Sequence, residues 1–261
     1  MTVIVGALCS DGIVIGADSM STSGNGRNPL IQVRSDDKIR VIDGKVIVVS
    51  TGSIGLAQRF ESIVERSWQE EVFERGCQEC GTSIAAHARQ EFTSSGVYFS
   101  PGAGLDFGAM VAAPIYDTPE LVEFNTFDLQ PERKTRRRHW VAMGAGQTFA
   151  DPFLAFISRV LWDSREPTVA AATVGLCWAI EHAIHYAPGG VGPPVRLAVL
   201  RREAGEWRAT LLEDDALQEP RQHIAEIEKR IGFYASDGLA NATASAPPPP
   251  PAPTAGTREA G

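Results

Sequence analysis

Residues 2–19 read TVIVGALCSDGIVIGADS, and this stretch decides how the chain begins to fold. Two apolar runs rich in β-branched and small residues flank the sequence SDG, which has the composition of a tight turn. We therefore predict that the chain opens with a β-hairpin. In such a hairpin Thr2 and Asp18 would lie at matching ends of two paired strands.

Hydrophobic periodicity alternates between strand-like and helical segments along the rest of the chain. A second hairpin is predicted around Asp43-Gly44, and residues 21–29 are predicted to form a loop. Predicted strands span residues 38–42, 46–50, 107–115, 121–127, 139–143, 195–200 and 207–212, and predicted helices span 54–68, 82–93, 147–162, 168–186 and 218–231. This order favours an α+β fold, a four-layer α/β/β/α sandwich of two antiparallel sheets flanked by helix pairs.

The two ends of the chain differ in composition. Residues 1–234 are expected to form one domain. From residue 235 to 261 the sequence is rich in Ala, Ser, Thr and Gly and carries the run Pro247–Pro251. Such a segment buries little apolar surface, so we expect a disordered or polyproline tail.

Composition and charge exclude several classes of protein. The 261 residues are 43% hydrophobic and 21% charged with a net charge of −8, which argues against nucleic-acid and anionic-membrane partners. The sequence has no apolar stretch of about 18 residues and no signal peptide, so a cytoplasmic location is expected. The basic run at 133–138, RKTRRR, is expected to be a solvated turn or edge strand.

Cysteine chemistry is expected to play no part in the function. Four cysteines are too few for a disulfide framework in a chain of this length. Cys77 and Cys80 form a C-x-x-C pair, but no second Cys/His pair follows at zinc-ribbon spacing. We therefore expect reduced thiols, and neither a metal nor another cofactor.

Five short segments together resemble the proteasome β-subunit family, including its bacterial peptidase relatives. They are TVIVG at residues 2–6, GADS at 16–19, DKIRVI at 37–42, TGS at 51–53 and GAG at 144–146. The resemblance covers about residues 2–213 and implies the fold of the N-terminal nucleophile (Ntn) hydrolases. It also implies a peptide or unfolded-protein substrate, a homo-oligomeric ring or helical assembly, and a possible ATPase unfoldase partner.

The same resemblance implies roles for individual residues. Thr2 would be the nucleophile once Met1 is removed, Asp18 and Lys38 would lie beside it, and the amide of Gly52 would face the oxyanion. By the same alignment, the substrate pocket would include a few side chains near this site. These are Met20, Ser21 and Ile54.

Each of these residue types suits acyl transfer. A threonine hydroxyl needs a base within hydrogen-bond reach, and the α-amine of an N-terminal threonine, with a reference pKa of about 7.7–8.0, can serve. Lys38, held charged and oriented by Asp18, would lower the proton affinity of that amine. Gly52 follows a predicted strand and precedes a helix, so its N–H would be unobstructed.

The sequence also departs from the family pattern. Active members usually carry a serine in the segment that reads Gly-Ala-Gly at 144–146, and an aspartate and a serine where this chain has HYAP at 185–188. His185 would be either a polar partner of the site or a helix-end histidine. A non-catalytic scaffold subunit therefore stays as the alternative to a peptidase. A third interpretation, an adaptor protein, has the proline-rich tail as its sole support.

Overall fold

A computed structural model describes residues 2–23, 31–34, 38–97, 105–187 and 190–235. Its described strands, in chain order, are β1 Val3–Cys9, β2 Gly12–Ala17, β3 Met20–Ser23, β4 Ile31–Arg34, β5 Ile39–Ile42, β6 Val46–Gly52, β7 Phe107–Ile115, β8 Thr118–Phe124, β9 Pro131–Arg133, β10 Trp140–Gly144, β11 Arg196–Glu203 and β12 Glu206–Leu211. Its described α-helices are α1 Ile54–Gln69, α2 Cys77–Ser94, α3 Gln147–Val160, α4 Val169–Tyr186 and α5 Gln218–Phe233.

Ten of these strands form two five-stranded antiparallel sheets. The first sheet has the order β10-β1-β2-β11-β12, the second has the order β5-β6-β7-β8-β9, and β3 and β4 form a separate ribbon. Both predicted hairpins, β1–β2 and β5–β6, are present. In the first hairpin Ile4 pairs with Ala17, and Asp18 N donates to Val3 O at 3.2 Å, so Thr2 and Asp18 lie at the same end of the sheet.

Apolar side chains from the facing sides of the two sheets fill the space between them. Ile4 and Ile15 from the first sheet and Ile47, Met110 and Leu121 from the second are all fully buried there. Every residue of β1 and β2 is buried, because these strands are covered on both faces. That explains why their sequences are continuously apolar rather than alternating.

Helices cover the outer faces of both sheets. On the second sheet, α1 and α2 pack an aromatic cluster in which Phe60 lies 5.3 Å from Phe107 and 5.1 Å from Phe124 between ring centroids. On the first sheet α4 approaches so closely that a Cβ added to Gly16 would lie 2.7 Å from Ile180 Cδ1. The four-layer α/β/β/α sandwich is confirmed.

Local hydrogen bonding and glycine geometry shift two predicted boundaries. The strand predicted for 121–127 ends at Phe124, because Asn125 Oδ1 accepts from Phe127 N at 2.8 Å and Asp128 N at 3.0 Å and so forms an Asx turn. The predicted helix 82–93 begins earlier, at Cys77, directly after Gly76 with its positive φ of 97°. Both differences arise from turn geometry rather than from hydrophobic periodicity.

The predicted loop and tail fall mostly outside the described residues. Residues 21–23 belong to β3, whereas 24–30 are not described. The tail predicted from 235 is described only at Ala235. The described residues fall into two compact units, one ending at Arg221 and the other beginning at Gln222. No helix within the described ranges is long and apolar enough to cross a membrane.

Candidate active site

The β1–β2 hairpin carries a buried carboxylate beside the first residues of the chain. Asp18 is 0% exposed and lies directly after β2. Its Oδ1 accepts from Val3 N at 3.0 Å, and its Oδ2 accepts from Met20 N and Gly192 N, each at 3.0 Å. Three backbone amides from three segments therefore compensate the desolvation of this carboxylate.

Lys38, which immediately precedes β5, supplies the fourth donor to Asp18 and also reaches Thr2. Its Nζ donates to Asp18 Oδ1 at 2.7 Å, to Thr2 Oγ1 at 3.1 Å and to Met20 O at 2.5 Å. An ammonium has three N–H donors, and these three acceptors match that number. The geometry therefore fits a charged Lys38 that holds the Thr2 hydroxyl and the carboxylate together.

Burial and the carboxylate act on Lys38 in opposite directions. The lysine side chain is 9% exposed, and this burial lowers the pKa of Lys38, while the charge and hydrogen bond of Asp18 oppose the shift. The net direction is downward from the ordinary lysine value. Lys38 is therefore a cation that gives up its proton more readily than a solvated lysine does.

The glycine-rich segment after β10 holds the backbone of Thr2. Gly146 N donates to Thr2 O at 3.1 Å. Gly144 has a φ of 90°, and a Cβ added there would lie 2.3 Å from Thr2 O and 2.8 Å from Thr51 Oγ1. The position thus requires glycine for both its conformation and its close contacts. The same contacts show that Thr51, near the end of β6, lies close to Gly144 and Thr2.

Gly52 follows Thr51 at this end of the second sheet. It has a φ of 100°, and an added Cβ would lie 2.2 Å from Asp106 O, so a side chain is excluded here as well. The residue is exposed, and Ser53 N donates to Asp106 O at 2.8 Å just before α1 begins. The strand-to-helix junction predicted for Gly52 is present.

Comparison with known proteins assigns the chain to a family. The family model described as proteasome subunit matches residues 2–155, which is more than half of the chain. The chain belongs to the proteasome subunit family. No curated protein matches the sequence.

Solved structures similar to this proteasome-family chain are named Anbu. One, from Hyphomicrobium sp. strain MC1, has a TM-score of 0.61 and 15% identity over 95% of this chain and 99% of that chain. Another, described as an ancestral beta-subunit from Yersinia bercovieri, has a TM-score of 0.61 and 16% identity over 95% and 98%. At such identity the likeness concerns the fold, which is the proteasome-like Ntn-hydrolase fold.

The pocket residues suggested by the family alignment take different positions. Met20 lies closest to the buried charges, because its N and O bond to Asp18 and Lys38. Ser21 follows it in β3 and is half-buried, and Ile54, 62% exposed, is the first residue of α1, two residues after Gly52. Of the three, the structure joins Met20 directly to the Asp18–Lys38 pair.

Two contributors to this proteasome-family site were missed by sequence reasoning. Gly192 donates to Asp18 from 174 residues away, and a Cβ added to it would lie 2.3 Å from Met20 Cε. Thr51 was quoted as part of a motif but given no role. The one sequence signal for Gly192 is its position between Val191 and Pro193, close to the late Gly-Gly of the family pattern. Of that Gly-Gly pair, Gly189 is not described.

The remaining candidates lie elsewhere or outside the described residues. The ring of His185 packs 4.6 Å from that of Tyr186, the last residue of α4, which favours the helix-end interpretation. Pro188 is not described. Burial raises the pKa of Cys77 and of Cys80 to about 12, so both thiols are poor nucleophiles at neutral pH. Within the described ranges no three His, Cys, Asp or Glu side chains are arranged to hold a metal ion.

Proposed function

We propose that this protein is a threonine-type peptidase or amidase whose nucleophile is Thr2, exposed as the first residue when Met1 is removed. The observation that carries the proposal is the contact of Thr2 Oγ1 with Lys38 Nζ at 3.1 Å, with Asp18 Oδ1 2.7 Å from the same nitrogen. A hydroxyl beside a buried, oriented cation is set up for nucleophilic attack once a base is present. The α-amine of Thr2 is that base.

The reaction is an acyl transfer in two steps. Thr2 Oγ1 attacks the carbonyl carbon, and its proton passes to the α-amine, which then gives that proton to the departing amine as the C–N bond breaks. The acyl group is left as an ester on Thr2. Water then attacks the ester, the α-amine takes the proton of that water and returns it to Oγ1, and the acid leaves.

Lys38 and Gly52 stabilise charge during both steps. Lys38 donates to Oγ1, which favours the oxygen as negative charge develops on it, and its own charge lowers the proton affinity of the α-amine. The backbone N–H of Gly52 is the donor to the oxyanion of the tetrahedral intermediate. A side chain at this position would collide with Asp106 O, so this backbone conformation requires glycine.

The substrate class, location and assembly belong to the same proposal. A peptide or unfolded protein is cleaved in the cytoplasm by a homo-oligomer, a ring or a helix, with an ATPase unfoldase as a possible partner. Family membership supports hydrolase chemistry and oligomeric assembly in general. The more specific statements about substrate, location, form of assembly and partner depend on Thr2 as the nucleophile.

A scaffold subunit is the second candidate, favoured by one specific observation. Ala145 stands where active family members usually have a serine, so the segment that holds Thr2 O through Gly146 N supplies no hydroxyl of its own. A scaffold needs the fold but not the reaction.

Intact mass spectrometry after incubation with a threonine-directed β-lactone tests the proposal. We expect the purified protein to lack Met1 and to gain one acyl adduct, localised to Thr2 by fragmentation. Thr2→Ala should gain none and should lose peptide hydrolysis, whereas Thr2→Ser should retain part of it. Thr210→Ala, which changes an exposed threonine on β12, is the matched control and should label like the parent.

Two outcomes would reject the peptidase. An unlabelled, folded parent protein that retains Met1 and hydrolyses no peptide would favour the scaffold. Equal hydrolysis by Thr2→Ala and the parent would mean that the nucleophile lies elsewhere.

A further inference from the structure

A cavity lies at the end of the sandwich opposite Thr2. It has a volume of about 590 Å³ and is formed where the β5–β6 turn, the end of α1 and the β7–β8 turn meet. Four carboxylates line it, those of Asp43, Glu71, Glu74 and Asp117. None of these residues takes part in the proposed reaction.

Aromatic rings accompany these carboxylates. Tyr116 is 71% exposed at the cavity wall and Trp68 is half-buried there, while Phe73, 3% exposed, packs edge to face against Trp68 with ring centroids 5.4 Å apart. Aromatic faces attract cations, and a guanidinium stacks on them while its N–H groups bond to carboxylates. The lining therefore suits an arginine side chain better than a bare metal ion.

The negative charge of the cavity is only partly balanced within the chain. Asp117 bonds to Arg202 and accepts from Trp207 Nε1 at 3.0 Å. No salt bridge of Asp43, Glu71 or Glu74 occurs among the residues that the structure describes, and all three are exposed. Three carboxylates are thus available to an incoming cation.

The basic turn, residues 135–138 between β9 and β10, offers the complementary charge. Arg136 pairs with Glu166 at 3.3 Å, and Arg138 pairs with Glu132 at 3.4 Å. Arg137, at the tip between them, is exposed and forms no ion pair within the described part of the chain. The neighbouring pairs hold the turn in shape and leave Arg137 to project.

Sheet topology puts the basic turn and the acidic cavity at different places on the chain. The turn joins β9 to β10, which are edge strands of the two sheets. One part of the cavity, the β5–β6 turn, lies at the opposite edges, where Gly44 O accepts from Ala209 N of β12 at 2.7 Å. Another part, the β7–β8 turn, belongs to the interior of the second sheet. A chain with two different surfaces of opposite charge can bind a copy of itself head to tail.

We propose that the basic turn of one copy docks into the acidic aromatic cavity of the next, with Arg137 as the inserted side chain. The contact is heterologous, so repeating it produces a closed ring or an open helix, depending on its rotation. The basic turn lies at the end of the sandwich away from Thr2, because β10 runs from Trp140 opposite Ala7 to Gly144 opposite Val3. The β5–β6 turn of the cavity lies at that end too, because β6 runs from Val46 beside the turn to Thr51 and Gly52 near the Thr2 site. The Thr2 site therefore stays open in the assembly.

Charge reversal on the full chain, read by light scattering, tests this contact. The parent should have a mass several times the 28.1 kDa of one chain at micromolar concentration. Arg137→Glu should raise the concentration for half-assembly by about tenfold or more, because like charges would then face each other. Glu74→Arg should do the same, and it is the carboxylate of choice because Asp43, Glu71 and Asp117 have positive φ angles.

A double variant that combines the two substitutions gives the decisive measurement. Arg137→Glu and Glu74→Arg each place like charges opposite each other at the contact. The double variant exchanges the two charges, so opposite charges meet again and assembly should be regained. Arg230→Glu, an exposed arginine on α5, is the matched control and should assemble like the parent. A monomeric parent, parent-like assembly of Arg137→Glu, equal loss in Arg230→Glu, or no recovery in the double variant would each overturn the proposal.

Lactone labelling separates this contact from the proposed chemistry. A dispersed Arg137→Glu protein that still gains the Thr2 adduct would show that assembly was lost without loss of the site. If the parent assembles but gains no adduct, the contact between copies is supported and the peptidase is rejected.

Discussion

The two ends of the sandwich use the same kinds of side chain in opposite ways. At one end Asp18 and Lys38 are almost completely buried, and every donor and acceptor on them is matched by Thr2, Met20 or a backbone group. At the other end the carboxylates around Tyr116 are exposed, and three of the four form no salt bridge with any residue that the structure describes. Buried charges fix the geometry of a reaction, whereas exposed ones remain available to a partner.

Removal of the buried carboxylate should produce the largest effect. Asp18→Ala leaves the Lys38 ammonium and three backbone amides without their acceptor, so the free energy of unfolding should fall by about 3–5 kcal/mol and hydrolysis should be lost. Glu206→Ala, which breaks the exposed pair with Lys45 at the opposite end, should cost less than about 1 kcal/mol.

Chemical denaturation of both variants measures the difference. Equal stability losses in Asp18→Ala and Glu206→Ala would show that burial does not distinguish the two ends. Hydrolysis retained by folded Asp18→Ala would show that the carboxylate does not orient Lys38.

Local sequence was sufficient to predict the half of the site that is built from hairpins. The SDG turn fixes the register that puts Thr2 beside Asp18, and a strand followed by TGS and a helical pattern predicts the junction at Gly52. These relations depend on residues near each other in the chain. Hydrophobic periodicity and turn-forming residues are therefore sufficient to predict these relations.

The contacts made across the fold could not be predicted in this way. Gly192 reaches Asp18 through the packing of a segment just before β11, and Thr51 approaches Gly144 because two different sheets end at the same place. No local sequence pattern predicts either of these contacts. The Asx turn at Asn125 is an intermediate case, since its signal is local but competes with an apolar run that continues to Phe127.

Burial of Lys38 should also appear in the pH profile of hydrolysis. In the proposed mechanism, activity requires a neutral α-amine, which is gained as pH rises, and a charged Lys38, which is lost as pH rises through its pKa. Because burial lowers the pKa of Lys38, the alkaline limb of kcat/KM should lie below the value of about 10.4 for a solvated lysine. Lys38→Arg keeps the charge and should move that limb upward, out of the accessible range.

The shape of the alkaline limb distinguishes two roles for this lysine. A fall in rate with rising pH is expected of a cation that donates to Thr2 Oγ1. A rate that continues to rise through the same range would mean that neutral Lys38 takes the proton of the hydroxyl, and the α-amine would then not be the base.

Deletion of residues 236–261 should have the smallest effect on either end of the sandwich. The segment lacks hydrophobic periodicity, and its prolines supply no backbone donors, so it offers little to a packed core. The truncated chain should match the parent in melting temperature within about 2 °C, in lactone labelling of Thr2 and in assembly mass.

The parent digested to the same length by limited proteolysis is the matched control, because its chain has already folded with the tail present. A large fall in melting temperature would place the tail in the folded structure, and a lower assembly mass alone would give it a part in the contact between copies.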